Sequence, residues 1–478
     1  MYPVVIFPSW TNAEIQMSNS NRRGFLRESL VYSGAALLAP SLSGLVSCAK
    51  PGNGSVAAPI RRVGAGKGGY GALVAAGEEL SLPAGFAYTV ISTSGQPMSD
   101  GRPTPNAFDG MAAFALPGGK VRLIRNHENR DTPLTATLKG DRTLAYDPKA
   151  GGCTVTLDVQ TPRNGPPIAL REFVSLSGTI VNCAGGPTPW GSWLTCEEST
   201  QGIAEGWSRN HGYVFEVFAR ATGEAGSLPL RAMGRFIHEA VAVDPATSIV
   251  YETEDRATAG FYRFIPNTRQ VLANGGALQM LAVKGSPRYD AAIGQTVGKV
   301  LSAEWVRIPD PDPVAAATDP GAVFNQGYAA GAARFSRLEG CWFGDDSIYF
   351  SATDGGNARA GQVWRYRPTS STEGELMLVF ESPSRDVLDA PDNITVAPGG
   401  GVVICEDGSG EQFIRGLTHD GRIFDLAKNL LNVSEFAGAC FSPDGNTLFV
   451  NTQGSTQDAG VVLGMTFAIQ GPWEKGAL

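Results

Sequence analysis

The sequence predicts an all-β protein, a six-bladed β-propeller with an inserted cap-like segment, and two observations indicate this. The 478-residue chain contains 60 glycines and 31 prolines, and only 18% of its residues are charged. Such a composition favours many short strands joined by turns over long surface helices. In addition, a pair of strand-like segments recurs six times, which is typical of propellers built from repeated antiparallel sheets.

Each repeat has the same internal order. A short apolar strand with a polar or very small residue at its start is followed by a second apolar strand that ends in acids or amides. The six first strands begin near Phe108, Leu176, His238, Arg337, Pro391 and Ala437. A third strand with a Gly-x-aromatic pattern usually follows, and residues 86–92 would close the ring against residues 461–469.

The repeat is interrupted by a long insertion at about residues 268–335. It contains strand-like pieces and an Ala/Gly-rich stretch over residues 315–333. Long insertions of this kind are often functional loops, so we predict a cap over the site. A pair of β-sandwiches, or hairpins that are only loosely similar, is the alternative to the propeller.

The N-terminal segment has the pattern of an export signal. Residues 21–27 (NRRGFLR) form a twin-arginine pattern, which predicts export of the folded protein by the twin-arginine machinery. Residues 45–48 (LVSC) resemble a lipoprotein box, with Cys48 as the lipidated residue, although an ordinary cleavage site is the alternative. We therefore predict a signal over residues 1–48, a flexible linker over 49–69, the propeller over 70–470 and a tail over 471–478. The predicted location is the periplasm or the cell surface.

Charge and cysteine content narrow the range of partners. The net charge is −8 and no basic cluster follows the N-terminus, which argues against nucleic acid as a partner. The cysteines after Cys48 lie mostly in apolar runs without a CxxC spacing, so a disulfide framework is not expected. We predict a monomer in which these cysteines, apart from Cys196, are small buried hydrophobic residues.

Residues 188–200 (TPWGSWLTCEEST) are predicted to be a buried strand that ends in Cys196, Glu197 and Glu198. Buried charges of one sign repel one another and lose hydration, so cations are expected beside them. The starts of the first strands would face one another across the channel of a propeller. These positions carry Asp109, Glu239, Glu339 and Asn393, with Gly178 and Gly438 in the other two repeats.

The ends of the second strands supply a second ring of candidate ligands. It comprises Glu128, Cys196 with Glu197, Glu254 with Asp255, Asp354, and Glu406 with Asp407. Carboxylate and amide oxygens suit calcium, whereas a thiolate among them indicates a transition metal such as iron or zinc. Only four histidines are present, without a compact His motif, so a His-based zinc site is not expected. Ordinary turn chemistry is the alternative for any single acid.

Arg337 lies two residues before Glu339. An exposed ion pair is one interpretation of this spacing. In an acid-lined channel, however, the arginine would act as an anion clamp, because a guanidinium group binds phosphate oxygens bidentately.

Several of these stretches together resemble the PhoX-type alkaline phosphatase family, and the similarity covers nearly all of the chain after residue 70. The matching stretches are Asp109-Gly-Met-Ala112, Arg125-Asn-His-Glu128, residues 188–198, His238-Glu-Ala-Val-Ala-Val-Asp244, Thr253-Glu-Asp-Arg256, Phe261-Tyr-Arg-Phe264, Arg337-Leu-Glu-Gly340 and Pro391-Asp-Asn-Ile394. The resemblance implies a propeller phosphatase with an iron pair and several calcium ions in its channel.

By the same resemblance, Cys196 is an iron ligand, Glu239 and Glu339 are cluster carboxylates, and Arg337 binds phosphate. We therefore predict hydrolysis of a small phosphate monoester, with Arg337 and Glu339 as catalytic residues and iron and calcium as cofactors. Two alternatives stay open. One is a calcium-dependent propeller that hydrolyses lactones or phosphotriesters, and the other is a non-enzymatic binding propeller at the cell surface.

Overall fold

Short β-strands are the main regular structure of the chain that the structure, a computed structural model, describes, namely residues 68–162, 165–226 and 228–478. The predicted signal, Cys48 and nearly all of the predicted linker lie outside these residues. The first fifteen strands are β1 (Leu73–Ala75), β2 (Leu80–Pro83), β3 (Ala87–Thr93), β4 (Phe108–Leu116), β5 (Lys120–His127), β6 (Gly152–Gln160), β7 (Ile168–Thr179), β8 (Asn182–Pro187), β9 (Ser192–Glu197), β10 (Val214–Phe218), β11 (His238–Val243), β12 (Val250–Glu254), β13 (Phe261–Pro266), β14 (Gly276–Val283) and β15 (Val300–Arg307).

Helix α1 (Ala322–Ala329) separates these strands from the remaining ones. The later strands are β16 (Leu338–Gly344), β17 (Ser347–Ala352), β18 (Gln362–Pro368), β19 (Gly374–Glu381), β20 (Pro391–Val396), β21 (Val402–Glu406), β22 (Phe413–Leu417), β23 (Ile423–Asn429), β24 (Phe436–Phe441), β25 (Thr447–Thr452) and β26 (Met465–Gln470). Short 3-10 helices span Ile203–Glu205, Arg231–Met233, Leu272–Asn274, Val314–Ala317 and Trp473–Lys475. Within the described ranges, every helix is too short or too polar to cross a bilayer.

The strands form a propeller-like, all-β fold in which the paired strands of every sheet are antiparallel. The five sheets have the orders β4-β5-β6-β7, β8-β9-β10, β11-β12-β13-β14-β15-β19-β18-β17-β16, β20-β21-β22-β23-β2-β1 and β24-β25-β26-β3. Strand β3 pairs with β26, so the predicted closure of the ring by the N-terminal strand is confirmed. The first strands of the repeat contact one another in the cyclic order β4, β8, β11, β16, β20 and β24.

Six separate blades are not what the structure shows. Strand β15, which comes from the insertion, pairs with β14 on one side and with β19 on the other, and it joins two repeats into one nine-stranded sheet. Helix α1 buries Val323 and Phe324 in the same apolar cluster as Met280 of β14. The insertion therefore contributes strands to a sheet and side chains to the core. It is more than the cap that the sequence predicts.

The second repeat begins later than predicted. Residues around Leu176 and Gly178 continue β7 and pair with β6, so they belong to the outer strand of the first sheet. Gly178 has a φ of 81° and packs against the backbone of Asp147, where a Cβ atom would lie 2.7 Å from backbone atoms. The true first strand of the second repeat is β8, which starts at Asn182.

Apolar faces of neighbouring sheets pack against one another to form the core. In one such layer, Leu194 and Val214 of β9 and β10 lie against Val241 and Val250 of β11 and β12. Burial of such aliphatic side chains contributes about 1.5–3 kcal/mol each. This packing fixes the sheets side by side and brings the ends of their strands to one face.

Candidate metal centre

The first strands share one irregularity that positions the site. In each of them the pairing with the second strand shifts by one residue just after the start of the strand, which is a β-bulge. A bulge changes the direction in which side chains leave a strand and often lies beside a functional site. The first residue inside each bulge is, in chain order, Asp109, Cys183, Glu239, Glu339, Asp392 and Gly438.

The residues that directly follow the second strands correspond to the second predicted ring. These residues are Glu128, Glu198, Asp255, Thr353, Asp407 and Gln453. Potential ligand atoms within these two rings, together with Glu435, lie within 4.8 Å of one another in four overlapping groups. The groups are Asp109/Glu128/Cys183, Cys183/Glu198/Glu239, Glu239/Glu339/Asp392 and Asp392/Asp407/Glu435. Because successive groups share a residue, they form one continuous set, which we name the acidic cluster.

The electrostatics of the acidic cluster require positive charge or protons. Burial, followed by repulsion from neighbouring carboxylates, raises the pKa values of Asp109, Glu239 and Glu339 well above their ordinary range. The same two causes raise the pKa of the Cys183 thiol. Burial and Asp407 raise the pKa of Asp392 to about 7. Carboxylates this close and this poorly hydrated are stable only with protons or with bound cations.

The residues present fit a metal site. Glu239 is fully buried, and its Oε1 accepts a hydrogen bond from the Cys183 Sγ at 3.2 Å, while its Oε2 has no hydrogen-bond partner among the described residues. An orphaned buried carboxylate oxygen costs about 1–3 kcal/mol or more, because it has lost its water. A cation would satisfy it. The donor set is rich in oxygen and contains one thiol.

Five predicted ligands are brought together in the acidic cluster, namely Asp109, Glu128, Glu239, Glu339 and Asp407. Arg337 lies at its edge with 38% of its side chain exposed. Its Nε and Nη2 donate to Asp255 at 2.9 and 3.0 Å, and Nη2 also donates to Glu339 at 2.7 Å. Arg337 and Glu339, which the sequence predicts to act together, are therefore in direct contact.

Asn393 lies beside the cluster rather than in it. Its Oδ1 accepts the N–H of Gly438 at 2.7 Å, and its Nδ2 donates to Asp392 at 2.9 Å. The ring position predicted for Asn393 belongs to Asp392, because the bulge begins one residue earlier than the sequence pattern indicates. Asn393 therefore orients the carboxylate that occupies the position.

The thiol at the cluster belongs to Cys183 and not to Cys196. Cys196 is fully buried in β9, in the apolar layer that contains Leu194 and Val241. Cys183 takes the ring position that the sequence assigned to Gly178, since β8 and not the end of β7 is the first strand of this repeat. Cys183 has no adjacent acid in the sequence that could have distinguished it from a buried hydrophobic residue.

Four other predicted ligands are held by the protein away from these groups. Glu254 accepts hydrogen bonds from Gly260 and Tyr262 at 2.9 and 2.8 Å. Glu406 accepts from the Arg415 Nε at 2.8 Å, and Asp354 accepts from the Ser336 Oγ at 2.5 Å. Glu197, the last residue of β9, accepts backbone N–H groups from Ile180 and Gly212 at 3.1 and 2.9 Å.

The cluster residues that sequence reasoning missed are Cys183, Glu198, Asp392 and Glu435, whereas Asp407 was predicted together with Glu406. For Glu198 a signal existed, because it directly follows Glu197, the acid that ends β9. Successive side chains along a strand point to opposite faces, so the choice between two neighbouring acids depends on where the strand ends. That position is set by tertiary pairing.

Glu197 instead forms a buried ion pair that makes stability depend on pH. The His211 Nδ1 lies 2.6 Å from the Glu197 Oε1, and the His211 Nε2 lies 3.5 Å from the Asp147 Oδ2. Burial alone would lower the pKa of His211, but the two carboxylates outweigh it and raise this pKa from 6.5 to about 9. The stabilising contribution is therefore fully present below about pH 6.5 and is lost as the pH rises to about 9.

We expect the free energy of unfolding to fall between these pH values by more in the wild type than in His211→Gln, with a difference on the order of 3 kcal/mol. Denaturant unfolding at several pH values measures the difference. A variant with the same pH dependence as the wild type would show that His211 is not charged in the folded protein.

Comparison with known proteins connects this site to a family. The family model described as alkaline phosphatase PhoX matches residues 68–455. The structure is similar to that of Pseudomonas fluorescens PhoX in complex with vanadate, a transition-state analogue, with a TM-score of 0.66, 19% identity, and coverage of 86% of this chain and 99% of that chain. A Xanthomonas campestris gluconolactonase is more distant, with a TM-score of 0.41, 13% identity, and coverage of 84% of this chain and 100% of that chain.

A search of curated proteins found no match. The family model alone covers well over half of the chain, and the family and the enzyme class predicted from the sequence are thereby confirmed. The chain belongs to the PhoX family of alkaline phosphatases.

Proposed function

We propose that the protein is an exported phosphatase that hydrolyses small phosphate monoesters at the acidic cluster, with iron and calcium as its metals. One observation carries the proposal. In a chain of this family, a buried set of carboxylates with one thiol lies directly beside Arg337, whose Nη1 donors have no partner among the described residues. Metal cations and a guanidinium group together match a dianionic phosphoryl group, which has three oxygens to bind.

The metals would be held by the residues of the acidic cluster. Cys183 is the thiol ligand expected for iron, and the carboxylates of Asp109, Glu239, Glu339 and Asp392 suit iron or calcium. When bound, such cations neutralise the negative charge that develops on the phosphoryl group and its leaving oxygen. This proposal transfers to Cys183 the iron-binding role that the sequence suggested for Cys196.

The chain's own side chains orient the substrate. Asp255 and Glu339 occupy the Nε and Nη2 of Arg337, so they fix the guanidinium plane and leave its Nη1 donors for a phosphoryl oxygen. Asn393 fixes Asp392, and Gln453 donates to Asp109 and Glu128 at 3.0 and 2.7 Å. These contacts preorganise the site, which reduces the reorganisation that the reaction requires.

The proposal also includes the blade architecture, the export and the oligomeric state that the sequence predicts. We interpret the nine-stranded sheet as two blades joined through β15, so that the fold derives from six blades around the acidic cluster. The twin-arginine pattern at Arg22 and Arg23 supports export to the periplasm or the cell surface, and Cys48 is the proposed lipid anchor. We propose that the enzyme acts as a monomer.

The test combines metal analysis with activity. The full chain, with its export signal, is purified from the exported fraction, its metals are measured by elemental mass spectrometry, and phosphate release is measured with p-nitrophenyl phosphate. We expect iron and calcium in the protein, and phosphate release that depends on both. A variant with Arg22→Lys and Arg23→Lys should be missing from the exported fraction. Calcium without iron, together with no phosphate release, would contradict the proposal and favour a hydrolase of lactones or phosphotriesters.

A further inference from the structure

We propose that Arg130 is a second phosphate-binding residue, which holds the substrate together with Arg337. The inference rests on the proposed phosphatase function and adds a substrate contact to it. Arg130 lies two residues after Glu128, in the loop that follows β5.

Arg130 occupies the boundary between solvent and the acidic cluster. Its Nη2 forms ion pairs with both Glu128 and Glu198, which belong to two adjacent ligand groups. Its side chain is 44% exposed, whereas those of Glu128 and Glu198 are 2% and 9% exposed. The guanidinium group therefore reaches the buried carboxylates from the open side, which is where a substrate arrives.

Most of the donors of Arg130 are unused. A guanidinium group has five N–H donors, and in the described part of the chain only Nη2 of Arg130 hydrogen-bonds to a protein acceptor. The Nε–H and the two Nη1–H donors remain for a ligand. Arg337 shows the same arrangement, because its Nε and Nη2 are occupied and its Nη1 donors are not.

The two arginines lie on one continuous row of charges. Arg130 pairs with Glu198, which shares a ligand group with Glu239. Glu239 shares the next group with Glu339, which pairs with Arg337. Asp255 also pairs with Arg337. The two guanidinium groups are therefore connected through Glu198, Glu239 and Glu339, and both lie on the same acidic cluster.

The loop around Arg130 is fixed by the protein and does not need the arginine side chain for its shape. The backbone N–H of Arg130 donates to the Thr456 carbonyl at 2.8 Å. The neighbouring Asn129 donates to Asp131 and Asp458 at 2.8 and 3.0 Å. Because the backbone is anchored in this way, a change of the side chain alone tests its binding role.

A phosphate monoester has three terminal oxygens, and one bidentate contact holds only two of them, so at least one oxygen remains for a group other than Arg337. When Glu128 and Glu198 bind cations, their negative charge is offset and the positive charge of Arg130 becomes available to an anion. The free Nε and Nη1 donors of Arg130 have fixed directions and can each donate to a phosphate oxygen, whereas a lysine is a point charge without such fixed donors. The geometry therefore suits recognition of one phosphoryl group from two sides.

The test measures binding separately from turnover. Inorganic phosphate and vanadate are titrated by calorimetry into the metal-loaded wild type and into Arg130→Met, Arg130→Lys and Arg337→Met, and the metals of each protein are measured. The control is Arg367→Met, which removes a comparably exposed ion pair with Glu375 on the outer strands β18 and β19.

We expect Arg130→Met and Arg337→Met each to weaken phosphate binding by about 10- to 100-fold, with the metal content unchanged. Arg130→Lys should recover only part of the affinity, and the Arg367→Met control should bind like the wild type. Phosphate binding of Arg130→Met equal to that of the wild type would overturn the inference.

A loss of metal in Arg130→Met would also overturn it, because Arg130 would then only position Glu128 and Glu198. A wild type that binds phosphate through Arg130 but releases none from monoesters would refute the proposed function and leave this assignment standing. A wild type that binds no phosphate would refute both.

Discussion

Cys183→Ala should lose its iron and reduce the rate of phosphate release on the order of 10²- to 10³-fold, whereas Cys196→Ala should keep both iron and activity. The Cys183 Sγ belongs to two ligand groups and lies 3.2 Å from the Glu239 Oε1. Burial and the charges of Asp109 and Glu239 raise the pKa of this thiol, so only a bound cation would make it a thiolate at neutral pH.

Cys196 provides the matched control, because it is equally buried but lies in an apolar layer. Its change to alanine leaves only a small cavity, with an expected cost of about 1 kcal/mol in the free energy of unfolding. Elemental mass spectrometry, phosphate release and thermal unfolding are measured on both variants. Loss of iron in Cys196→Ala with retention in Cys183→Ala would show that the thiol ligand is the one first suggested by the sequence.

Removal of metals by a chelator should lower the Tm of the wild type by roughly 10 °C, and it should lower the Tm of Glu239→Gln by much less. Glu239 is buried near Glu339 and Asp392, and its Oε2 has no hydrogen-bond partner in the described chain. Without cations its charge opposes folding, and glutamine removes that charge at almost the same shape. With cations bound, the same change removes a ligand.

The relative stability of the wild type and Glu239→Gln should therefore reverse when the metals are removed. The loaded wild type should be more stable than loaded Glu239→Gln, and the chelated wild type should be less stable than the chelated variant. Glu373→Gln, which affects an exposed pair with Lys284, is the control and should show no reversal. Equal destabilisation of Glu239→Gln in both conditions would show that cations do not offset the charge of Glu239.

The chelated protein should also respond to pH in a defined direction. The pKa values of Asp109, Glu239 and Glu339 are raised in the folded state. Between about pH 5 and pH 8 the folded protein then holds protons that the unfolded chain has released, so the stability of the chelated protein falls as the pH rises. Bound cations replace these protons, and we expect the loaded enzyme to lose much less stability over this range.

Several properties of this protein were determined by the sequence alone. Glycine, proline and the repeated strand pairs predicted an all-β fold, and the pairing of β3 with β26 confirms the predicted ring closure. The acids at Asp109, Glu239 and Glu339 were found because each follows the start of a first strand in the repeat. These features are local, since strand propensity and the position of an acid within a repeat depend on neighbouring residues.

Other properties were decided only by tertiary structure. The choice of Asp392 over Asn393 and of Glu198 over Glu197 depends on register, because a shift of one residue moves a side chain to the other face of a strand. The choice of Cys183 over Cys196 depends on where β7 ends and β8 begins, and the pairing of β15 with both β14 and β19 depends on contacts between distant residues. The sequence indicated that carboxylates and a thiol meet at the strand ends, and long-range strand pairing determined which of them do.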